Sequence, residues 1–383
     1  TRMTTREHTS SVLSRRAAGG GTPGDPPGNP PGSPPGNPSG GPPGNPPGDS
    51  LDMVTRLTRR DAALRAVRAY FHERGFVEAD TPQLVPGPGL EPHIDPLSVP
   101  VRTGLLSSST STRFLITSPE FALKRVVAAG VPRVFQLVHV FRDGEKTARH
   151  SPEFTMLEWY RGPGTLNDIL DDTTGVVRAV ARAVGNVSGI DVDAPVERVT
   201  CAQAFTRCGV DLSAAIDETS AGDAFALPRR VRARGDFLPG TPGFDDAFFH
   251  VMAAHVEPAI GRDRLAVVQQ WPASMAVLAR LDEHDRRYAR RFEVYAHGRA
   301  GCLELCNAFD ELTDAVEQRA RFDDDNAARV RLGKDALPLD EDFLSALPQM
   351  PSPSAGNALG FDRLLMLLTG AERIDDVLAL PWR

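Results

Sequence analysis

Phe154, Met156, Glu158 and Tyr160 are spaced two apart, and they are the side chains best suited to chemistry in this sequence. In a strand that spacing puts all four on one face, so an aromatic plate, a thioether, an acid and a phenol stand in a row. A carboxylate on a buried face is costly without a partner, so Glu158 points to a ligand or a counter-ion rather than to plain packing. Upstream, Gln136 and Arg142 share a face of a second strand-like segment, and the intervening loop from Asp143 to Ser151 carries Glu145, Arg149 and His150. Polar groups on two linked strands around a charged loop suit an anionic ligand. Each residue also has an ordinary reading: Glu120, Glu158 and Glu311 as ion-pair partners, Phe154 and Phe309 as core.

The elements that must hold these groups follow from periodicity. Leu64, Val67, Tyr70 and Phe71 have helical spacing, with Gly75 as the stop. Phe76 to Leu84, Phe114 to Thr117, Val134 to Arg142 and Phe154 to Tyr160 read as strands, with a helix from Pro119 to Ala129. Strand signals return at Leu265 to Gln269, Arg291 to Tyr295 and Leu303 to Glu311, and a last amphipathic helix carries Phe361, Leu364, Leu365 and Leu368 before Gly370. Few strand–helix–strand alternations occur, so an α+β protein built on an antiparallel sheet flanked by helices is expected. Residues from about 166 to 260 read as a helical and irregular insert.

Residues 1–54 are expected to form a disordered tail, since they are poor in apolar side chains and place glycine at every fourth position from Gly24 to Gly48. Collagen needs glycine at every third, which excludes a triple helix. Residues 55–383 are then one catalytic domain. The net charge of −7 argues against a protein that grips a long nucleic acid. The basic runs Arg229, Arg230, Arg232, Arg234 and Arg286, Arg287, Arg290, Arg291 read as solvated faces. Four cysteines at 201, 208, 302 and 306 lack metal-site spacing, which fits reduced thiols in the cytoplasm. No apolar run is long enough for a membrane span.

Val134 to Arg142 followed by Arg149-His-Ser-Pro-Glu-Phe-Thr-Met-Leu-Glu-Trp-Tyr160 resembles motif 2 of class II aminoacyl-tRNA synthetases in its lysyl form. Arg74-Gly-Phe76 running to Thr81-Pro82 resembles motif 1, and Gly356-Asn-Ala-Leu-Gly-Phe-Asp-Arg363 resembles motif 3. Three motifs in order over residues 55 to 383 are far more specific than any one alone. Ser118-Pro-Glu120, Pro272-Ala-Ser274, Glu304 to Asp314 and Thr369 to Leu378 are similar to the EF-P lysine aminoacylase family, lysyl-tRNA-synthetase-like enzymes that modify elongation factor P.

The resemblance implies the class II catalytic fold and a ligase that uses ATP and Mg2+ to make the adenylate of lysine or β-lysine. It implies transfer to a lysine of elongation factor P, and a homodimer formed through motif 1. The alternative is a free-standing lysyl-tRNA synthetase paralogue charging tRNA or another amine. The acidic charge and the Pro/Gly tail standing where an anticodon-binding domain would precede motif 1 weigh against tRNA. By the same resemblance Arg142 and Arg363 are catalytic. ATP binding falls to Arg142, Gly144, Glu145, Arg149, His150, Ser151, Phe154, Glu304, Leu305, Gly360 and Arg363. The amino acid falls to Ser118, Glu120, Glu158, Tyr160, Asn307, Phe309, Glu311 and Ala358, and the metal to Glu304 and Glu293.

Gly144 stands where the family has the Glu of Arg-x-Glu, Ser151 where Asn is frequent, and Ala308 and Ala358 where Gly is usual. The methyl of Ala358 is expected to reshape the amino-acid pocket, in keeping with a preference for β-lysine. Strict alternation would put Asn307, Phe309 and Glu311 on one strand face and Glu304 on the other, so a bulge near Cys306 is expected.

Overall fold

The computed structural model describes residues 52–104, 109–275 and 278–382. The expected Pro/Gly tail therefore lies outside the described residues, apart from its last three positions. In chain order the first elements are α1 (Met53–His72), β1 (Val77–Glu78), β2 (Leu84–Val85), β3 (Ser98–Arg102), β4 (Thr110–Leu115) and α2 (Glu120–Ala128). The hairpin strands β5 (Arg133–Phe141) and β6 (Glu153–Arg161) follow, then α3 (Leu166–Val184), β7 (Glu197–Thr200) and four short helices. These are α4 (Cys201–Arg207), α5 (Leu212–Ser220), α6 (Ala226–Ala233) and α7 (Phe244–Val251). The chain closes with β8 (Ala266–Pro272), β9 (Tyr288–Gly298), β10 (Gly301–Asp310), α8 (Ala315–Arg331), α9 (Glu341–Ala346), β11 (Ala355–Gly360) and α10 (Phe361–Thr369).

Eight strands form one sheet in the order β1-β5-β6-β11-β10-β9-β8-β7, and β2-β4-β3 make a small second sheet. The expected antiparallel sheet is present in its six central strands, but both outer pairs, β1 with β5 and β7 with β8, run parallel. The expected strand from Phe76 to Leu84 is reduced to two-residue pieces at its ends. Pro82 has no N–H to give a ladder, and the Thr81 hydroxyl donates instead to the Gln136 side chain at 2.8 Å. Elements not foreseen include β3, α9, β11 and α8. Strand β11 is rich in Gly and Ala rather than β-branched residues, and α8 is highly polar.

One sheet face is dry. Leu157 and Trp159 of β6, Val294 of β9 and Leu303 and Ala308 of β10 pack there with residues of α1, α3 and α10. Phe71 and Phe135 stack at a centroid distance of 4.8 Å at its centre, and removing such a ring costs about 3–5 kcal/mol. Helix α3 belongs to this layer, whereas α4 to α7 pack on the opposite face against Ala266, Val268, Trp271 and Tyr295. Helix ends are set locally: Asp52 caps α1, Thr165 and Asp168 form a capping box on α3, and Gly370 closes α10 at φ 69°. Among the described residues no helix is long and apolar enough to cross a membrane.

Candidate active site

The face of the sheet opposite the dry layer opens as a cleft of about 280 Å³. Strand β6 places Phe154, Met156 and Glu158 on its wall, while Leu157 and Trp159 point into the helix-covered core, so the alternation expected from the sequence holds. Strand β10 carries the expected bulge: Glu304 pairs with Tyr295 but Cys306 pairs with Val294, leaving Leu305 as the extra residue. That single insertion returns Glu304, Asn307 and Phe309 to the same side, and all three line the cleft. Ala358 of β11 lies between Asn307 and Glu158 as the cross-strand partner of both.

One end of the cleft is acidic and sealed. The Ser118 hydroxyl donates a short hydrogen bond to Glu158, and the Tyr160 hydroxyl donates to its other oxygen at 3.0 Å. Lys124 Nζ is 2.5 Å from Glu120 and 2.5 Å from Glu311, and is itself only 1% exposed. Three carboxyls thus face one ammonium, and they cannot all ionise in so dry a place. Burial, with the nearby Glu120 charge, pushes Glu158 up to about 8. Burial also pushes Glu311 up to about 8, against the pull of Lys124. Lys124 goes up despite its burial, because Glu120 and Glu311 both favour its charged form. A Cβ on Gly356 would stand 2.1 Å from the Tyr160 ring and 2.8 Å from Glu311, so only glycine lets β11 close over these groups.

The other end is basic and open. Arg142, Arg149 and Arg363 line it. The Arg142 guanidinium sits 5.3 Å from the Phe154 ring centroid, and Arg149 donates to the Cys302 carbonyl at 2.9 Å. Arg363 donates to the Glu304 carbonyl at 3.0 Å and meets His150 Nε2 at 2.7 Å. Burial and the Arg363 charge lower the His150 pKa, so its ring is neutral, Nε2 accepts from Arg363 and Nδ1–H faces the Thr147 hydroxyl. Asp362 holds this end of α10 in place, accepting from the Thr155 backbone at 2.7 Å and pairing with Arg60 at 2.5 Å.

Of the residues named from the sequence, Gly144, Tyr160 and Glu311 do not reach the wall. Gly144 turns the motif 2 loop with φ 75°, a left-handed position where glycine replaces the family's Glu without strain. Tyr160 and Glu311 stand behind the wall as partners of Glu158 and Lys124. Glu293 lines the cleft, but Arg291 and the Tyr295 hydroxyl both engage its carboxyl, whose pKa is pushed up to about 7 by burial and by the Glu304 charge. Arg291 is a correction: rather than joining a solvated basic face, it spans Glu293 and Asn307 over the Trp271 ring inside the cleft. Glu91 and Phe249 also line the cleft and were missed. Glu91 had a signal in the Pro86-Gly-Pro-Gly89 run before it, where a Cβ on Gly87 would stand 2.9 Å from the Asp340 nitrogen.

The donor set suits a nucleotide and its metal. Ser151 Oγ is buried without a hydrogen-bond partner, and Glu304 and Glu293 present neighbouring carboxyls, the charge of Glu304 adding to burial in raising the pKa of Glu293.

Residues 50–383 match the family described as tRNA synthetases class II (D, K and N). The chain is 35% identical over 332 residues to the "Elongation factor P--(R)-beta-lysine ligase" of Yersinia enterocolitica, covering 86% of this chain and 95% of the relative. Proteins of the same name from Edwardsiella ictaluri and Klebsiella pneumoniae are each 36% identical, over 85% of this chain and 94% of theirs. With a family match over residues 50–383, the motif 2 and motif 3 segments lining one cleft and relatives matched over nearly their whole length, the chain belongs to the class II tRNA synthetase family, among its elongation factor P ligases.

Proposed function

We propose that this ligase activates (R)-β-lysine, or α-lysine less well, as an aminoacyl-adenylate and passes the acyl group to a lysine side chain of elongation factor P. The carrying observation is the polarity of the cleft, with partly neutralised buried acids at one end and Arg142, Arg149 and Arg363 at the other. The ligand that satisfies both ends has an ammonium on a chain and a carboxylate meeting a polyphosphate. The amino-acid carboxylate attacks the α-phosphorus of ATP, the bond to the β-phosphate oxygen breaks and pyrophosphate leaves. A carboxylate is already ionised, so positioning and charge neutralisation suffice and no general base is needed. The amine of the acceptor then attacks the acyl carbon, expelling AMP.

Arg142 is assigned to the α-phosphate and the substrate carboxylate, Arg363 to the γ-phosphate, and Phe154 to one face of adenine. Glu120 and Glu158 receive the substrate ammonium, with Asn307 and Ala358 shaping the space beside them. Glu304, assisted by Glu293, would hold Mg2+, which neutralises phosphate charge when bound. Residues 55–383 act as one catalytic domain, dimerise through the motif 1 segment, and work in the cytoplasm where the acceptor factor functions.

Pyrophosphate exchange driven by (R)-β-lysine more strongly than by α-lysine, together with a one-lysyl mass increase on elongation factor P, is the expected result. Charged tRNA on an acid gel alongside an unmodified factor would overturn the assignment of the acceptor.

A further inference from the structure

Away from the cleft's carboxylates, helix α7 runs without a break into a π-helical turn, Met252–Val256. His250 and His255 are five residues apart, a spacing that an α-helix sends to different faces. The wide i→i+5 turn brings such a pair back toward one side. Their rings are 6.2 Å apart here. Asp236, from the segment between α6 and α7, meets His255 Nε2 at 2.9 Å through Oδ1. One ligand atom from each of Asp236, His250 and His255 lies within 4.8 Å of the others. Donors around a single zinc ion stand about 3.3–4.4 Å apart, so small side-chain rotations close the set.

Two further observations favour a ligand. Asp236 Oδ2 is buried without a hydrogen-bond partner, with the Arg234 guanidinium 3.5 Å away, where it can orient the carboxylate from outside. Among the described residues no hydrogen bond or ion pair engages either ring nitrogen of His250, although the side chain is partly buried. Two imidazoles and one carboxylate select a borderline divalent cation over Mg2+, which prefers oxygen alone.

We propose that Asp236, His250 and His255 form a site for Zn2+, completed by water, that ties the segment before α7 to the α7 π-turn. The consequence reaches the cleft through Phe249. It adjoins His250 and lines both the cleft and the wider neighbouring cavity, whose wall also includes Leu238, Pro239 and Pro242. An ion bound at this point fixes that wall.

The test uses the full chain, stripped of metal and then equilibrated with Zn2+ in excess Mg2+, so that oxygen-only sites are filled. Wild type is expected to retain one zinc per chain, to show a visible ligand-field spectrum with Co2+, and to melt at a higher temperature with Zn2+. His250→Ala and His255→Ala should each lose all three responses while melting like wild type in chelator. His250→Cys should keep zinc, since a thiolate replaces the imidazole. Wild type that retains no zinc, zinc retained equally by both alanine variants, or binding without a melting shift would each overturn the proposal.

Discussion

At the acidic end of the cleft Lys124 keeps 1% of its side chain exposed and Glu158 none, whereas Arg142 and Arg363 at the basic end keep 21% and 24%. The acids and their lysine are partners of one another before any substrate enters. The arginines instead lean on a ring, a carbonyl and a neutral imidazole, and meet carboxylates only at longer range, Arg142 with Glu145 at 3.8 Å and Arg363 with Glu304 at 3.4 Å, which leaves more of their charge to act outward. In the proposed function, recognition of a cation thus sits inside the folded core, and recognition of an anion sits on its rim. Damage at the first end should appear as lost stability, and at the second as lost chemistry in an intact protein.

Lys124→Met tests that contrast most severely. It strands Glu120 and Glu311 without their counter-ion, and a denaturant titration should show a loss of about 3–5 kcal/mol. Arg363→Ala should do the reverse, lowering the pyrophosphate exchange rate by about 10²–10³-fold with a melting temperature close to wild type. A large melting shift in Arg363→Ala, or none in Lys124→Met, would break the comparison.

The pH dependence sharpens it. Glu158 has a folded value of about 8 against an ordinary 4.5, so the folded state holds its proton more tightly than the unfolded chain. The stability this adds is complete below 4.5 and is lost as pH rises through about 8. The denaturation midpoint of the ligand-free protein should fall over that window, and Glu158→Gln should flatten the fall. A bound ammonium favours the ionised carboxylate, so KM for the amino acid should decrease over the same range in wild type only. The smallest change is Ala358→Gly, which removes one methyl between Asn307 and Glu158. It should shift the ratio of kcat/KM for β-lysine over α-lysine by about tenfold, and an unchanged ratio would remove Ala358 from the specificity argument.

Features governed by local periodicity were legible in the sequence. The β5–β6 hairpin, the face holding Phe154, Met156 and Glu158, the end of α10 at Gly370 and the bulge in β10 all follow from spacing or from the need to reconcile two spacings. What escaped depends on distant partners. Strand β11 carries glycine at 356 because Tyr160 and Glu311 occupy the space a side chain there would need, and nothing near Gly356 in the chain reports that or its pairing with β6 and β10. Arg291 looked like one more surface arginine until β10 supplied Asn307 and β9 supplied Glu293. The pairing of Glu120 with Lys124 is readable at i, i+4, but Glu311 comes from almost two hundred residues away.

The bulge at Leu305 makes one strand a ruler. In the proposed function Glu304 serves the metal and Asn307 the amino acid, yet the path between them is a short run of covalent backbone, on the order of 10 Å when extended. Helices can loosen and loops can breathe without altering that length. Under that assignment a substrate is gauged against a fixed interval rather than against a gap between moving parts, and an amino acid one methylene too long or too short would be misaligned at one end whenever it is seated at the other.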